Sequence, residues 1–248
     1  ASSNSNGTIT SSVSANNTYG FSIVKWSNSS SSATIGHGLN AAPALIFTKG
    51  LGSCEWQVYH KELGNAYKLY LNGGDAQVSS SVWSTTTPTS SVFNFNDNRT
   101  QDFIAYCWSE VSGFSKFGTY TGNGSATGPV ITTGFKPRFV LVKGSSYASN
   151  WNLIDTARST SNPRSNVLRP NSSAAEFSSP TGTYGISLDV LDDGFQLKSG
   201  SSTNDINQTG ATYIYAAFAD KPDGSVIDSL IDSPTNYEAT PNNGGNYA

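Results

Sequence analysis

The sequence predicts an all-β fold: two tandem β-sandwich repeats of immunoglobulin-like or jelly-roll-like type, with an N-terminal strand arm ahead of them. Three observations carry this expectation. Residues 212–220 (TYIYAAFAD) have a position-by-position twin in residues 102–110 (DFIAYCWSE), both aromatic and β-branched and both ending in a small residue and an acid. The blocks that these runs close open on the same tripeptide, Gly20-Phe21-Ser22 and Gly113-Phe114-Ser115, and self-similarity of this length marks a repeated unit. Six or more short apolar or alternating runs per block are punctuated by turn residues, the pattern of a sandwich. No stretch has a capped helical period; residues 60–65 are the best candidate for a single turn.

In chain order, residues 1–19 are the arm, 20–112 the first repeat, 113–221 the second and 222–248 a tail. In the arm, Ile9 and Val13 are spaced by an even number, which puts both on one face of an extended strand. The first repeat begins on the strand-like FSIVKW, residues 21–26. The apolar run 44–50 ends in Gly50, and residues 56–60 and 67–71 alternate in the period-two manner before the Asn72-Gly73-Gly74 turn. The second repeat answers in the same order. Residues 137–144 align without gaps on 43–50, and Trp151 answers Trp56. Asp192-Asp193-Gly194 reads as a hairpin turn, with Gly194 supplying the positive φ. The tail carries a short apolar patch, residues 226–231, in linker composition.

Composition removes several function classes. Only 12% of residues are charged and the formal net charge is -3, so clustered Lys and Arg for nucleic-acid binding are missing. No run reaches the eighteen or so apolar residues of a membrane span, and no membrane insertion is expected. The chain lacks Met and a visible signal peptide, which suggests processing or a section of something longer. Two His leave little for a nucleophile–base pair, and no metal spacing or phosphate loop appears, so neither an enzyme nor a cofactor is expected.

Several segments carry a resemblance. GFSIV (20–24), GHGL (36–39) before Ala42-Pro43, WQVYH (56–60), PTSSVF (88–93) and IAYCW (104–108) resemble tandem β domains of tail-fibre and virion proteins from tailed bacteriophages. Residues 6–16 resemble the connector between such domains, and 230–237 with 245–248 the start of a SPRY-like domain. The resemblance implies an extracellular structural or adhesive role and brings no activity to carry over.

These readings converge on assembly. The arm lies outside the repeat and cannot bury enough surface alone. It must pair with its own body, pair with a neighbouring molecule or remain a linker. Donation to a neighbour through Thr8, Ile9, Thr10, Ser11 and Val13 is the expectation, giving a head-to-tail homo-oligomer, a filament. The competing class is a glycan-binding adhesin, with cell-surface glycan as partner and Trp83, in the Ser/Thr-rich loop before Pro88, as the exposed stacking face. Trp56 and Trp151, at equivalent strand positions, read as core. Cys54 and Cys107 either form a disulfide or are two buried thiols. Asn-x-Ser/Thr sequons at Asn6, Asn16, Asn28, Asn98, Asn123, Asn171 and Asn207 are possible glycosylation positions.

Overall fold

A computed structural model describes residues 1–29, 32–84, 86–178, 185–199 and 205–221. The apolar tail patch, 226–231, lies outside the described residues, as do the segments that resemble a SPRY-like start. Among the described residues there are strands and no helix; residues 61–63 are a turn.

The first repeat contains β1 (Ser2–Asn4), β2 (Ser11–Asn16), β3 (Phe21–Asn28), β4 (Ala33–Gly36), β5 (Leu45–Gly50), β6 (Gln57–His60), β7 (Tyr67–Tyr70), β8 (Val78–Ser79), β9 (Val92–Phe95) and β10 (Gln101–Trp108). The second contains β11 (Ser115–Thr121), β12 (Val130–Thr132), β13 (Phe139–Gly144), β14 (Trp151–Asp155), β15 (Asn166–Val167), β16 (Phe177–Ser178), β17 (Leu188–Leu191), β18 (Gly194–Leu197) and β19 (Thr212–Phe218). The first main sheet runs β1-β2-β3-β10-β5-β6-β7-β8 and is opposed by the pair β4-β9. The second main sheet runs β11-β19-β13-β14 and is opposed by β12-β18-β17. All named strand pairs are antiparallel.

The twin runs are the central strands β10 and β19, and their ladders coincide. Tyr106 pairs with Phe47 on one side and Ile23 on the other; Ala216 pairs with Leu141 and Phe117. The opening tripeptides, however, align one residue out. Phe21 occupies the ladder position of Ser115, not of Phe114. Gly20 and Gly113 both have positive φ, 60° and 74°, so the shared tripeptide records a turn that glycine favours, whereas the ladders fix strand register. Gly194 corrects a second reading. It is absent from the positive-φ glycines, and what excludes a side chain there is the Ile131 carbonyl oxygen, 2.0 Å from where a Cβ would stand.

Each repeat has its own core between its main sheet and the strands that oppose it, which in the second repeat include the pair β15-β16, and a third core lies between the repeats. Trp26, Phe93, Phe95 and Phe103 centre the first; Tyr213, Phe195, Leu188 and Leu197 help fill the second. The third joins Leu45, Val58 and Leu69 of the first repeat to Phe117, Leu141, Trp151, Ile214 and Ala216 of the second. Burying each large apolar side chain fully is worth roughly 1.5–3 kcal/mol, so this seam is packed like an interior.

Candidate functional site

The arm pairs within its own chain, where the sequence led to the expectation of donation to a neighbour. β2 pairs with β3 along residues 12–16, and Val13, opposite Val24, is buried in the first core. Upstream, Ile9 bridges Ile35 in parallel, and Thr8 and Thr34 exchange bonds in which each backbone N–H donates to the other's Oγ1, at 2.8 and 2.9 Å. Ser11 Oγ donates to the Gly36 carbonyl at 2.7 Å, while Thr10 is exposed. The ribbon therefore stitches the two sheets of its own sandwich together. Its acceptor edge lies on the same chain a few residues on, where effective concentration far exceeds that of a second molecule.

Trp83 is also placed differently from the expectation. It is 2% exposed, lies edge-on to Tyr59 at 5.7 Å, and closes one end of the first core. The hydrogen bond from Asn96 N–H to the Val82 carbonyl at 2.7 Å holds this loop inward. Trp56 departs in the opposite sense. Trp151 is buried, but Trp56 is half-exposed and near-parallel to Tyr106, with ring centroids 6.1 Å apart. Phe21 lies near-parallel to Tyr106 at 6.5 Å, completing a half-buried aromatic row on the seam-facing side of the first sheet. The alternation of Ile104, Tyr106 and Trp108 along β10 was the signal for that row.

Cys54 and Cys107 are free thiols and not a disulfide. Cys107 lies in the first core, where burial pushes its thiol pKa far up. Cys54 Sγ accepts the Gly50 N–H at 3.0 Å, and in the second repeat Ser149 Oγ accepts the Gly144 N–H at 3.1 Å. Cys54 and Ser149 each stand two residues before the matched Trp56 and Trp151, and they therefore do the same work. Two sequon asparagines, Asn28 and Asn207, are almost wholly buried, so the fold closes them to modification.

The two histidines are used alike. His60 Nδ1 accepts the Glu62 N–H at 3.2 Å, and its Nε2 faces the Tyr215 carbonyl across the seam at 3.1 Å. His37 Nδ1 accepts the Leu39 N–H, and its Nε2 faces the Thr89 carbonyl, both at 3.1 Å. Each geometry fits a neutral ring protonated on Nε2. Burial drives the pKa of His60 down to about 4 against the opposing pull of the Tyr215 carbonyl, and burial also lowers that of His37.

The seam holds the most unusual polar group. Lys143 is fully buried, and its Nζ donates to the carbonyls of Gly144 at 2.6 Å and of Asp75 in the first repeat at 2.8 Å. Burial lowers its pKa to about 8, against the pull of the Asp75 and Asp205 carboxylates. Trp151 Nε1 donates to the Tyr70 carbonyl at 2.8 Å, also across the seam. At the seam's margin Glu110 receives Lys61 at 2.8 Å, Lys116 at 3.6 Å and the Phe117 N–H at 3.0 Å. Against desolvation, which would raise it, Lys61 and that N–H hold the Glu110 carboxyl below its ordinary pKa.

Beside these contacts an apolar cleft of about 350 Å³ opens between the repeats. Phe47 and Trp108 of the first repeat form one wall, their ring centroids 5.0 Å apart. Phe114, Phe139 and Phe218 of the second form the other, with Phe218 5.7 Å from Phe139 and 6.0 Å from Phe114. Leu45, Leu141 and Ala216 complete the lining and are buried. All five wall rings are half-exposed. No group of three or more potential metal ligands occurs among the described residues.

Duplicated ladders, paired sandwiches and a shared seam define an all-β tandem-repeat protein. The chain belongs to the family described as domain of unknown function DUF7483, whose model matches residues 1–222. No curated protein and no solved structure matches it.

Proposed function

We propose that the chain is a non-enzymatic structural module of an extracellular fibre or virion appendage, of the tail-fibre kind its segments resemble, in which the two repeats act as one stiff segment. The observation that carries this reading is the third core. Repeats joined by a short linker would pivot, whereas here Leu45, Val58, Phe117, Leu141 and Trp151 share one interior. The use of both imidazoles in backbone hydrogen bonds supports a non-catalytic role. Strand exchange between modules would have to withdraw Ile9 and Val13 from the first core, so in this reading the ribbon locks its own module and modules meet by other surfaces. Immunogold labelling of particles and cell envelopes from the source, with antibody to this chain, is the test. Label along a tail fibre or surface filament is expected, and label confined to the cytoplasm would sink the reading.

A second reading, a glycan-binding module, is favoured by the aromatic row of Trp56, Tyr106 and Phe21. Sugar faces stack on such rings through the same apolar and quadrupolar forces that pair aromatic side chains. A glycan array should then show a signal that Trp56→Ala and Tyr106→Ala abolish while Trp83→Phe preserves it. A signal indifferent to the first two changes would count against this surface.

A further inference from the structure

The opposing pair β4-β9 is far narrower than the eight-stranded sheet it faces. Beside it, the loops that follow β8 and β9 meet side chains of β6 and β7. Asn96 ties the two loops together, its N–H donating to the Val82 carbonyl at 2.7 Å and its Nδ2 to that of Ser81 at 3.4 Å. From β3, Asn28 Nδ2 fixes the second loop through the carbonyls of Asp97 at 2.6 Å and Arg99 at 2.9 Å. Two recesses open here, of about 510 and 730 Å³, and they share Ser80, Ser81 and Asn96, so they form one trough. Each has the size of an ordinary small-ligand site.

The first recess is built from a chain of fixed polar groups. Lys68 Nζ donates to Gln57 Oε1 at 3.0 Å, and Gln57 Nε2 donates to Asp97 Oδ2 at 3.2 Å. Arg99 Nε and the Arg99 backbone N–H donate to Asp97 Oδ1 at 2.8 and 3.0 Å, and Arg99 Nη2 donates to Oδ2. Asp97 is almost wholly buried, and both of its oxygens are thus occupied. Donors remain in surplus. The Lys68 ammonium has three hydrogens and one acceptor, beside the Tyr70 ring; Arg99 Nη1 has no partner among the described residues. Two cations against one carboxylate leave this recess positive in a chain whose formal net charge is -3. A recess with open donors, occupied acceptors and positive charge is complementary to an oxyanion.

The second recess adds Asn65, Ser79 and Ser84 to the shared residues and has no charged and no aromatic side chain in its lining. Hydroxyls and amides both donate and accept, which suits the hydroxyls of a sugar and offers a nucleobase nothing to stack on. Ser84 has a φ of 59° and is the one non-glycine residue with positive φ among the described residues, a backbone state that gathers at ligand sites.

We propose that this trough binds an acidic oligosaccharide, its carboxylate or sulfate group held by Lys68 and Arg99 and the adjoining sugar hydroxyls by Ser80, Ser81 and Asn96. The strand register sets Gln57 and Lys68 on the opposite face of the first sheet from Tyr106. The site is therefore separate from the aromatic row, and it holds whether or not the protein belongs to a fibre.

The test probes the full-length chain on an array of uronic, sialylated and sulfated oligosaccharides, each beside a neutral counterpart of the same length, and measures the strongest binders by calorimetry. Acidic members should bind at least about tenfold more tightly than their counterparts, the scale of one charge-assisted hydrogen bond. Carboxylated against sulfated members then identify the oxyanion. Lys68→Gln should weaken binding by a similar factor. Asn98→Asp, at an exposed position in the first recess, sets a second carboxylate against the ligand; it should act likewise, and it decides the matter if Lys68→Gln lowers the unfolding midpoint. The proposal is overturned if no acidic member binds, if neutral counterparts bind equally, or if an oligonucleotide of equal charge competes as well. Binding that Trp56→Ala abolishes and both trough variants leave intact belongs to the aromatic row and overturns it too.

Discussion

The two repeats solve the same edge problem in different ways. In the first, the outer edge of β3 is covered by β2, and Val13 enters the core beside Val24 and Ala105. In the second, β11 takes the place of β3, and no strand lies beyond it among the described residues. Gly118 stands where Val24 stands, and Tyr215 where Ala105 stands. The Tyr215 ring lies over Gly118 so closely that a Cβ there would meet its hydroxyl oxygen at 2.6 Å. One large ring from the central strand thus takes the volume that two valines share in the first repeat. The Glu110 carboxylate then occupies the outward Phe117 N–H, and a charge at an exposed edge discourages further pairing. An arm is needed only where the core was left short of a side chain.

The largest test of this comparison is removal of residues 1–16. The first core loses Val13 and the cover of Ile9, together with the β2–β3 ladder, so a loss of at least about 3 kcal/mol is expected by chemical denaturation. A deleted chain as stable as the parent would show that β3 needs no cover. Next in size is acid. The folded-state pKa of His60 lies at about 4, below its ordinary 6.5. Its contribution is therefore whole above pH 6.5 and is lost as pH falls through 4, when an added proton on Nδ1 would face the Glu62 N–H. The full effect is roughly 3 kcal/mol, and His60→Gln should flatten that part of the stability–pH curve. At the equivalent position in the second repeat, Asp155 engages Arg158 at 2.6 Å; against desolvation, Arg158 holds that carboxyl below its ordinary pKa, so its own step falls at lower pH than that of His60.

Gly118→Val should cost about 1–3 kcal/mol by overpacking against Tyr215. Combining it with Tyr215→Ala recreates the Val24–Ala105 pair without an arm. A double-mutant cycle should then show favourable coupling while the double variant stays less stable than the parent. Additive effects would mean that the ring and the glycine do not share the space. The smallest effect is expected for Cys54→Ser, which puts the second repeat's own residue at that position and should shift stability by no more than about 0.5 kcal/mol.

Much of this architecture was legible in the sequence because strands of period two leave their faces in plain view. The twin runs β10 and β19, the aligned β5 and β13, and the paired roles of Cys54 and Ser149 all follow from one alignment. What was not legible depended on where loops fold back. Trp83 sits in a polar loop, and nothing local says that its ring caps a sandwich end. The arm's even spacing marks a strand, but the identity of its partner is a tertiary fact. The seam was hidden for the same reason. Leu45, Leu69, Leu141 and Leu153 look like ordinary strand residues until their outward faces are found against one another.

The burial of Lys143 gives the seam a chemical clock. Lys25 and Lys136 offer more than half of their side-chain surface to solvent, so an amine-acylating reagent meets them at once. The Lys143 amine, sealed beneath Gly74 and Asp75, becomes nucleophilically available only when the halves of the molecule part. Its slow modification, timed against those two lysines, counts how often they do.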